Sequence, residues 1–229
     1  MSLPETSVLR KIWLAAECGL LFVGVPAVYA AGWLTIPITI IPLLLLMTAG
    51  CWCVLKWRHQ VSMSALLRHG AAAAEWRRIL VTYAVVVPCL IGLLWAIKPE
   101  VLFALPIKHT QLWLLIMVAY PFISVLPQEL VYRVFFFERY RLLFGQGIAM
   151  VTASAAAFGF GHIVFHNWLA VLLTLPGGWL FGTTYRRTGS LRLAAIEHAL
   201  YGCAVFTIGY GSFFYEGTLR LFRNWPAGS

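Results

Sequence analysis

Apolar residues come in long runs along the whole chain, separated by short segments that carry the lysines and arginines. A run of about 20 apolar residues is what a helix needs to cross a bilayer. Seven runs qualify, at 12–31, 36–55, 79–97, 111–143, 148–165, 168–185 and 191–214. The fourth is longer than the rest, which predicts a tilted or kinked helix ending at the interface. Pro127, with no N–H to donate, is the expected kink. The stretch 56–78, with Trp57 and Trp76 near its ends, reads as an interfacial helix. The pattern predicts an all-α fold, a polytopic transmembrane helical bundle of about seven to eight spans, in one integral membrane domain over 1–229. There is no internal repeat, so a small-molecule transporter gains little support.

Composition agrees. The chain is 61% hydrophobic and 11% charged, against roughly 25% charged in soluble domains. Its net charge of +9 would suggest nucleic acid in a soluble protein, but no nucleic-acid-binding motif is present. Membrane orientation explains the charge instead. With a cytoplasmic N-terminus, twelve basic residues fall inside: Arg10, Lys11, Lys56, Arg58, Arg68, Arg77, Arg78, Arg139, Arg141, Arg186, Arg187 and Arg192. Four fall outside: Lys98, Lys108, Arg220 and Arg223. That bias is the positive-inside pattern. Residues 1–11 lack a signal-peptide cleavage pattern, so the first run is expected to be retained as a span. Cys18, Cys51, Cys53, Cys89 and Cys203 lie in apolar stretches and read as core or lipid-facing residues.

Charge inside the spans is costly, roughly 2.5–3.5 kcal/mol per residue on insertion scales, so ionisable residues there mark interior sites. Glu129, Arg133, His162, Glu197 and His198 are such residues, with Glu17 and His166 as further candidates. Glu129 and Arg133 are four apart, on one helix face, and can pair. Phe158 precedes His162 by one turn, and Gly159 and Gly161 beside it permit close helix approach. His166 follows at i+4, at the outer end of its span. Counting back from the turn at 145–147, Glu129 and His162 are each 15 residues deep, roughly 22 Å at helical rise. His198 is expected to sit shallower.

A carboxylate and an imidazole sharing a water make a nucleophile by general-base catalysis. A second imidazole aimed at the scissile carbonyl stabilises the oxyanion. The chemistry expected is hydrolysis of an amide in or beside the bilayer. No Ser or Cys stands in a nucleophile motif. This mechanism needs no metal or cofactor. The alternative is zinc (Zn2+) held by Glu129, His162 and His166, although the Glu of a His-Glu-x-x-His motif is absent.

Three motifs stand in order: Gln128-Glu129-x-x-x-Arg133, Phe158-x-x-x-His162 and His198-x-x-x-Gly202, with a glycine-rich stretch at 177–191 between the last two. Over about 110–212 the chain resembles the CAAX prenyl endopeptidase and bacteriocin-processing (CPBP or Abi) family of glutamate-dependent intramembrane proteases. The resemblance implies an intramembrane endopeptidase in which Glu129 and His162 activate water, His198 stabilises the oxyanion and Arg133 supports Glu129. Phe158, Tyr132 and Gly202 are the expected substrate-binding residues. The resemblance also implies a bacterial member that acts on C-terminal sorting tails in the inner (cytoplasmic) membrane, with membrane lipid and a membrane-associated protein or peptide tail as the expected partners. Two positions depart from the family pattern. Gln128 stands where the family usually has its first Glu, and Gly202 where some members have an Asn. Gln128 leaves three readings open: a subfamily in which Glu129 serves alone, an engineered Glu-to-Gln change, or a non-catalytic membrane partner such as an immunity or chaperone protein.

Overall fold

The computed structural model describes residues 5–33, 40–68 and 73–214. They are helical throughout, with no strand among them. The long helices are α1 (Val8–Ala30) and α2 (Ile40–Arg58). The short α3 (Met63–Arg68) leads to α4 (Ala73–Ile97), and the short α5 (Ala104–Lys108) leads to α6. Then come α6 (Thr110–Arg139), α7 (Ile148–Gly161), α8 (Trp168–Thr188) and α9 (Leu191–Ile208).

Six of these helices, not seven, are long and apolar enough to cross a membrane. The expected span at 168–185 is α8, a 21-residue helix. At 1.5 Å per residue it is about 31 Å long, sufficient in length. Its composition falls short because Thr174, Thr183, Thr184, Gly177, Gly178 and Gly182 dilute the apolar residues. Those small residues serve packing: α8 runs between α7 and α9. Gly178 and Gly182 lie on Ala155 and Val151 of α7, and Gly159 of α7 lies under Leu175. Close approach through small residues is the usual way helices pack in lipid.

The stretch at 56–78 is not one interfacial helix. α2 continues through Arg58 and stops at Gln60, whose φ is +52°. Part of the connection, 69–72, lies outside the described residues, as does the expected start of the second span at 36–39. α4 begins at Ala73, earlier than hydropathy suggests, because Glu75 is neutralised by Arg78 and Arg187. The fourth span ends at Arg139 rather than 143. A separate turn, Arg141–Phe144, follows it. The last span ends at Ile208, before Gly209 at φ +127°. The turn from α8 to α9 is tight. Gly189 ends α8 in the left-handed region, and the Ser190 side chain caps α9 by accepting from the Leu193 N–H.

Five exposed tryptophans lie near the ends of the long helices, and a sixth, Trp179, lies midway along α8. Trp13 and Trp57 lie at one end of the bundle. Trp33, Trp95 and Trp168 lie at the other, as interfacial aromatic belts do. The middles of α4 and α6 expose Leu80, Val81, Val85, Leu114, Leu115 and Val118. Such a surface suits lipid.

The inner half of α6 is the centre of the fold. Every residue from Glu129 to Phe136 is buried. Phe22 of α1 and Leu55 of α2 belong to the same core, as do Phe158 of α7 and Phe181 of α8. A helix apolar all round is one surrounded on all sides. α6 is also irregular. It carries π-helical turns at Pro121–Val125 and Leu130–Phe135, on either side of Leu126–Glu129. The irregularity is therefore spread over two turns rather than concentrated at Pro127.

Candidate active site

Glu129 and Arg133 are fully buried, and the expected pair is formed: Arg133 Nε donates to Glu129 Oε2 at 3.1 Å. The other carboxylate oxygen, Oε1, receives His198 Nδ1 at 2.9 Å. Both oxygens of Glu129 thus have charged or chargeable partners, as a carboxylate out of water requires. Arg133 Nη1 donates to Ser154 Oγ at 2.7 Å, and Ser154 Oγ donates to the Tyr132 carbonyl at 2.6 Å. The guanidinium also lies over the Phe158 ring, with Cζ at 5.0 Å from the centroid, a cation–π contact.

The expected difference in depth between His198 and Glu129 is therefore wrong, since the two are hydrogen-bonded. Two features account for it. α6 ends at Arg139, so Glu129 is ten residues from the end of its helix instead of 15. His198 is eight residues from Ser190.

His162 begins the single 3-10 turn His162–Phe165 that finishes α7. Its Nδ1 lies 2.7 Å from the Phe158 carbonyl oxygen. A carbonyl only accepts, so Nδ1 carries the hydrogen and, in the neutral ring, Nε2 is the basic nitrogen. The same logic applies to neutral His198, whose Nδ1 hydrogen goes to a carboxylate. The two imidazoles flank one ring, with centroids 4.7 Å (His162) and 5.4 Å (His198) from that of Phe158. His198 is also stacked on Phe181 at 4.5 Å and 13°, which fixes its rotation.

Both histidines line a cavity of about 890 Å³, within the range of about 300–1,000 Å³ usual for ligand sites. Its walls come from α1, α2 and α4 to α9 and are mostly Leu, Ile, Val and Phe. Its polar groups include Gln128, Ser124 and Tyr120 of α6 with His162 and His198, and also Tyr29, Lys108, His109, Thr174 and Tyr201. Tyr132, Phe158 and Gly202, the expected substrate-binding residues, are on the wall as well. The Tyr132 hydroxyl occupies the space a Cβ at Gly161 would need.

The two members of the Gln128-Glu129 pair part company. Gln128 is on the cavity wall; Glu129 is behind it, between Arg133 and His198. Gln128 Nε2 donates to Ser124 Oγ at 2.7 Å, and its Oε1 is buried with no partner among the described residues. Such an acceptor is a natural place for a bound water. Glu17, Glu197 and His166 lie elsewhere. Glu17 takes Arg139 Nη2 at 2.6 Å and Nε at 2.8 Å. Glu197 is held by the Thr184 hydroxyl and Arg78. His166 ends its turn at φ +54°. Among the described residues no three His, Cys, Asp or Glu side chains gather as a metal site would need.

Tyr120 escaped the sequence reading. Its hydroxyl lies 3.2 Å from His198 Nε2. The usable signal was the four-residue spacing of Tyr120, Ser124, Gln128 and Tyr132, a single helix face that becomes a cavity wall.

These polar groups lie on the wall of a mostly apolar cavity in a bundle with six candidate membrane spans among the described residues. The family follows from comparison with known proteins. Residues 110–204 match the family model described as type II CAAX prenyl endopeptidase Rce1-like, and this stretch of the chain is a domain of that protease family. The match spans α6 to α9 up to Ala204 and includes all three motifs. No curated protein and no solved structure gives a significant match to the chain.

Proposed function

We propose that the protein is an intramembrane endopeptidase that hydrolyses a peptide bond in a membrane-associated tail. One observation carries this reading. Two imidazoles, each with Nδ1 fixed by an acceptor, share the wall of a mostly apolar cavity in a domain of a protease family.

The geometry favours a division of labour different from direct activation of water by Glu129. A carboxamide can hold a water but cannot take its proton, so Gln128 positions the water and His162 Nε2 is the base. The proton passes to His162, and the hydroxide adds to the scissile carbonyl carbon. The new oxyanion meets the cavity-facing N–H of protonated His198, whose other N–H is held by Glu129. Collapse of the adduct breaks the C–N bond, and His162 returns its proton to the departing amine. Glu129 acts through His198, and Arg133 holds Glu129 in place. The substrate is expected to place apolar residues against the cavity wall. The basic segments support an N-terminus on the cytoplasmic side of the membrane.

The test is a survey of polypeptide termini in membranes expressing the wild-type chain or His162→Ala. Termini present with the wild type and absent with the variant are expected. Identical termini in the two membranes would refute the reading.

One observation favours a second reading, a non-catalytic partner of the same fold: the cavity wall presents the carboxamide of Gln128 instead of a carboxylate. Here Gln128→Glu is the discriminating change. Cleavage created from none would assign the natural chain to the non-catalytic class.

A further inference from the structure

Gly202 and Tyr120 lie against each other on the cavity wall. A Cβ at position 202 would meet the Tyr120 ring and its hydroxyl. Only glycine leaves room for the tyrosine there. Phe206, one turn beyond Gly202 on α9, packs edge-on against the ring at 5.2 Å and 77°. Its hydroxyl is thereby brought to 3.2 Å from His198 Nε2, while Glu129 holds the far nitrogen of the same imidazole at 2.9 Å.

We infer that Tyr120 is a second oxyanion donor, and that Gly202 is glycine in order to admit it. The inference rests on the endopeptidase reading above. When His198 is neutral, Nε2 has only a lone pair, and the Tyr120 O–H donates to it. When His198 is protonated, Nε2 carries a hydrogen and the Tyr120 hydrogen is released from it. Two donor atoms 3.2 Å apart can both lie about 2.7–3.1 Å from one oxygen, the distance an oxyanion donor needs. No bond to Tyr120 forms or breaks, and it keeps its proton throughout. The sequence offers no side-chain donor at 202, and the structure supplies one from a different helix.

Two measurements on the full chain in detergent micelles test this. The first needs no substrate. In protein labelled with 15N-histidine, Tyr120→Phe is expected to shift the His198 Nε2 resonance and leave His162 Nε2 in place. An unmoved His198 resonance overturns the contact. The second uses a peptide spanning the cleavage site found in the survey of termini. Tyr120→Phe is expected to lower kcat on the order of 10²-fold, with KM within about twofold and an unchanged unfolding midpoint. Gly202→Ala, which displaces the ring, is expected to lower kcat comparably. Full kcat in Tyr120→Phe overturns the role while leaving the endopeptidase reading intact. Cleavage surviving His162→Ala instead defeats the endopeptidase reading, and the resonance still reports whether Tyr120 holds His198.

Discussion

Arg133→Met tests the buried network most sharply. Arg133 has no solvent exposure, yet it satisfies Glu129 at 3.1 Å and Ser154 at 2.7 Å and covers the Phe158 face. Methionine fills similar apolar volume but removes the charge. Glu129 is then left in the core with only His198. Removing one partner of a fully buried pair costs about 3–5 kcal/mol, because the other charge stays uncompensated. The double variant Glu129→Gln/Arg133→Met removes both charges. Its carboxamide oxygen still accepts from His198 Nδ1, so the losses are the ordinary hydrogen bonds to Arg133, about 1–2 kcal/mol in all. The double variant is therefore expected to be more stable than Arg133→Met by about 2–3 kcal/mol. Unfolding in mixed micelles with increasing SDS, followed by far-UV circular dichroism, measures all three proteins. The reasoning is refuted if Arg133→Met lies within about 1 kcal/mol of wild type, or if the double variant is no better than the single.

Gly161→Ala puts a methyl into the Tyr132 hydroxyl and is expected to cost about 1–3 kcal/mol. Adding Tyr132→Phe should recover most of that loss in the same unfolding assay. Thr184→Val removes the hydroxyl between Arg78 and Glu197 and should cost about 1–3 kcal/mol by leaving a buried carboxylate short of a donor. An unchanged midpoint would show that Arg78 alone satisfies Glu197. Glu17→Gln loosens the bidentate tie to Arg139. Because that pair is partly exposed, the expected loss is only about 0.5–1 kcal/mol, read as a small rise in protease sensitivity near Tyr140.

Hydropathy alone revealed the helical membrane bundle, because a bilayer imposes one length and one composition on whatever crosses it. It failed at α8, where packing against two neighbours selects Gly and Thr over Leu. The Glu129–Arg133 pair was legible from its four-residue spacing, and the two histidines from their cost in lipid. The partnership of Glu129 with His198 was not, since it depends on how α6 and α9 are placed in depth. Nor was the separation of Gln128 from Glu129 across the cavity wall. Neighbours in sequence point about 100° apart on a helix, so which of them meets the cavity is decided by the helices around them. Tyr120 was hidden for another reason: a tyrosine in an apolar span is ordinary until a glycine on a different helix is found beneath it.

The two π-helical turns of α6 act as phase settings. Each accommodates one residue more than an α-helical turn would. Taking one residue out of Pro121–Val125 would let that turn close to plain α-helix with little change of phase beyond it. Taking one out of the α-helical stretch Thr110–Tyr120, which has none to spare, would swing everything after it by about 100° about the axis. Gln128 would leave the cavity wall, and the face carrying Glu129 and Arg133 would no longer meet His198 and Ser154. In such a segment a one-residue deletion is a more severe lesion than most substitutions, although every side chain that touches the cavity would still be present in the chain.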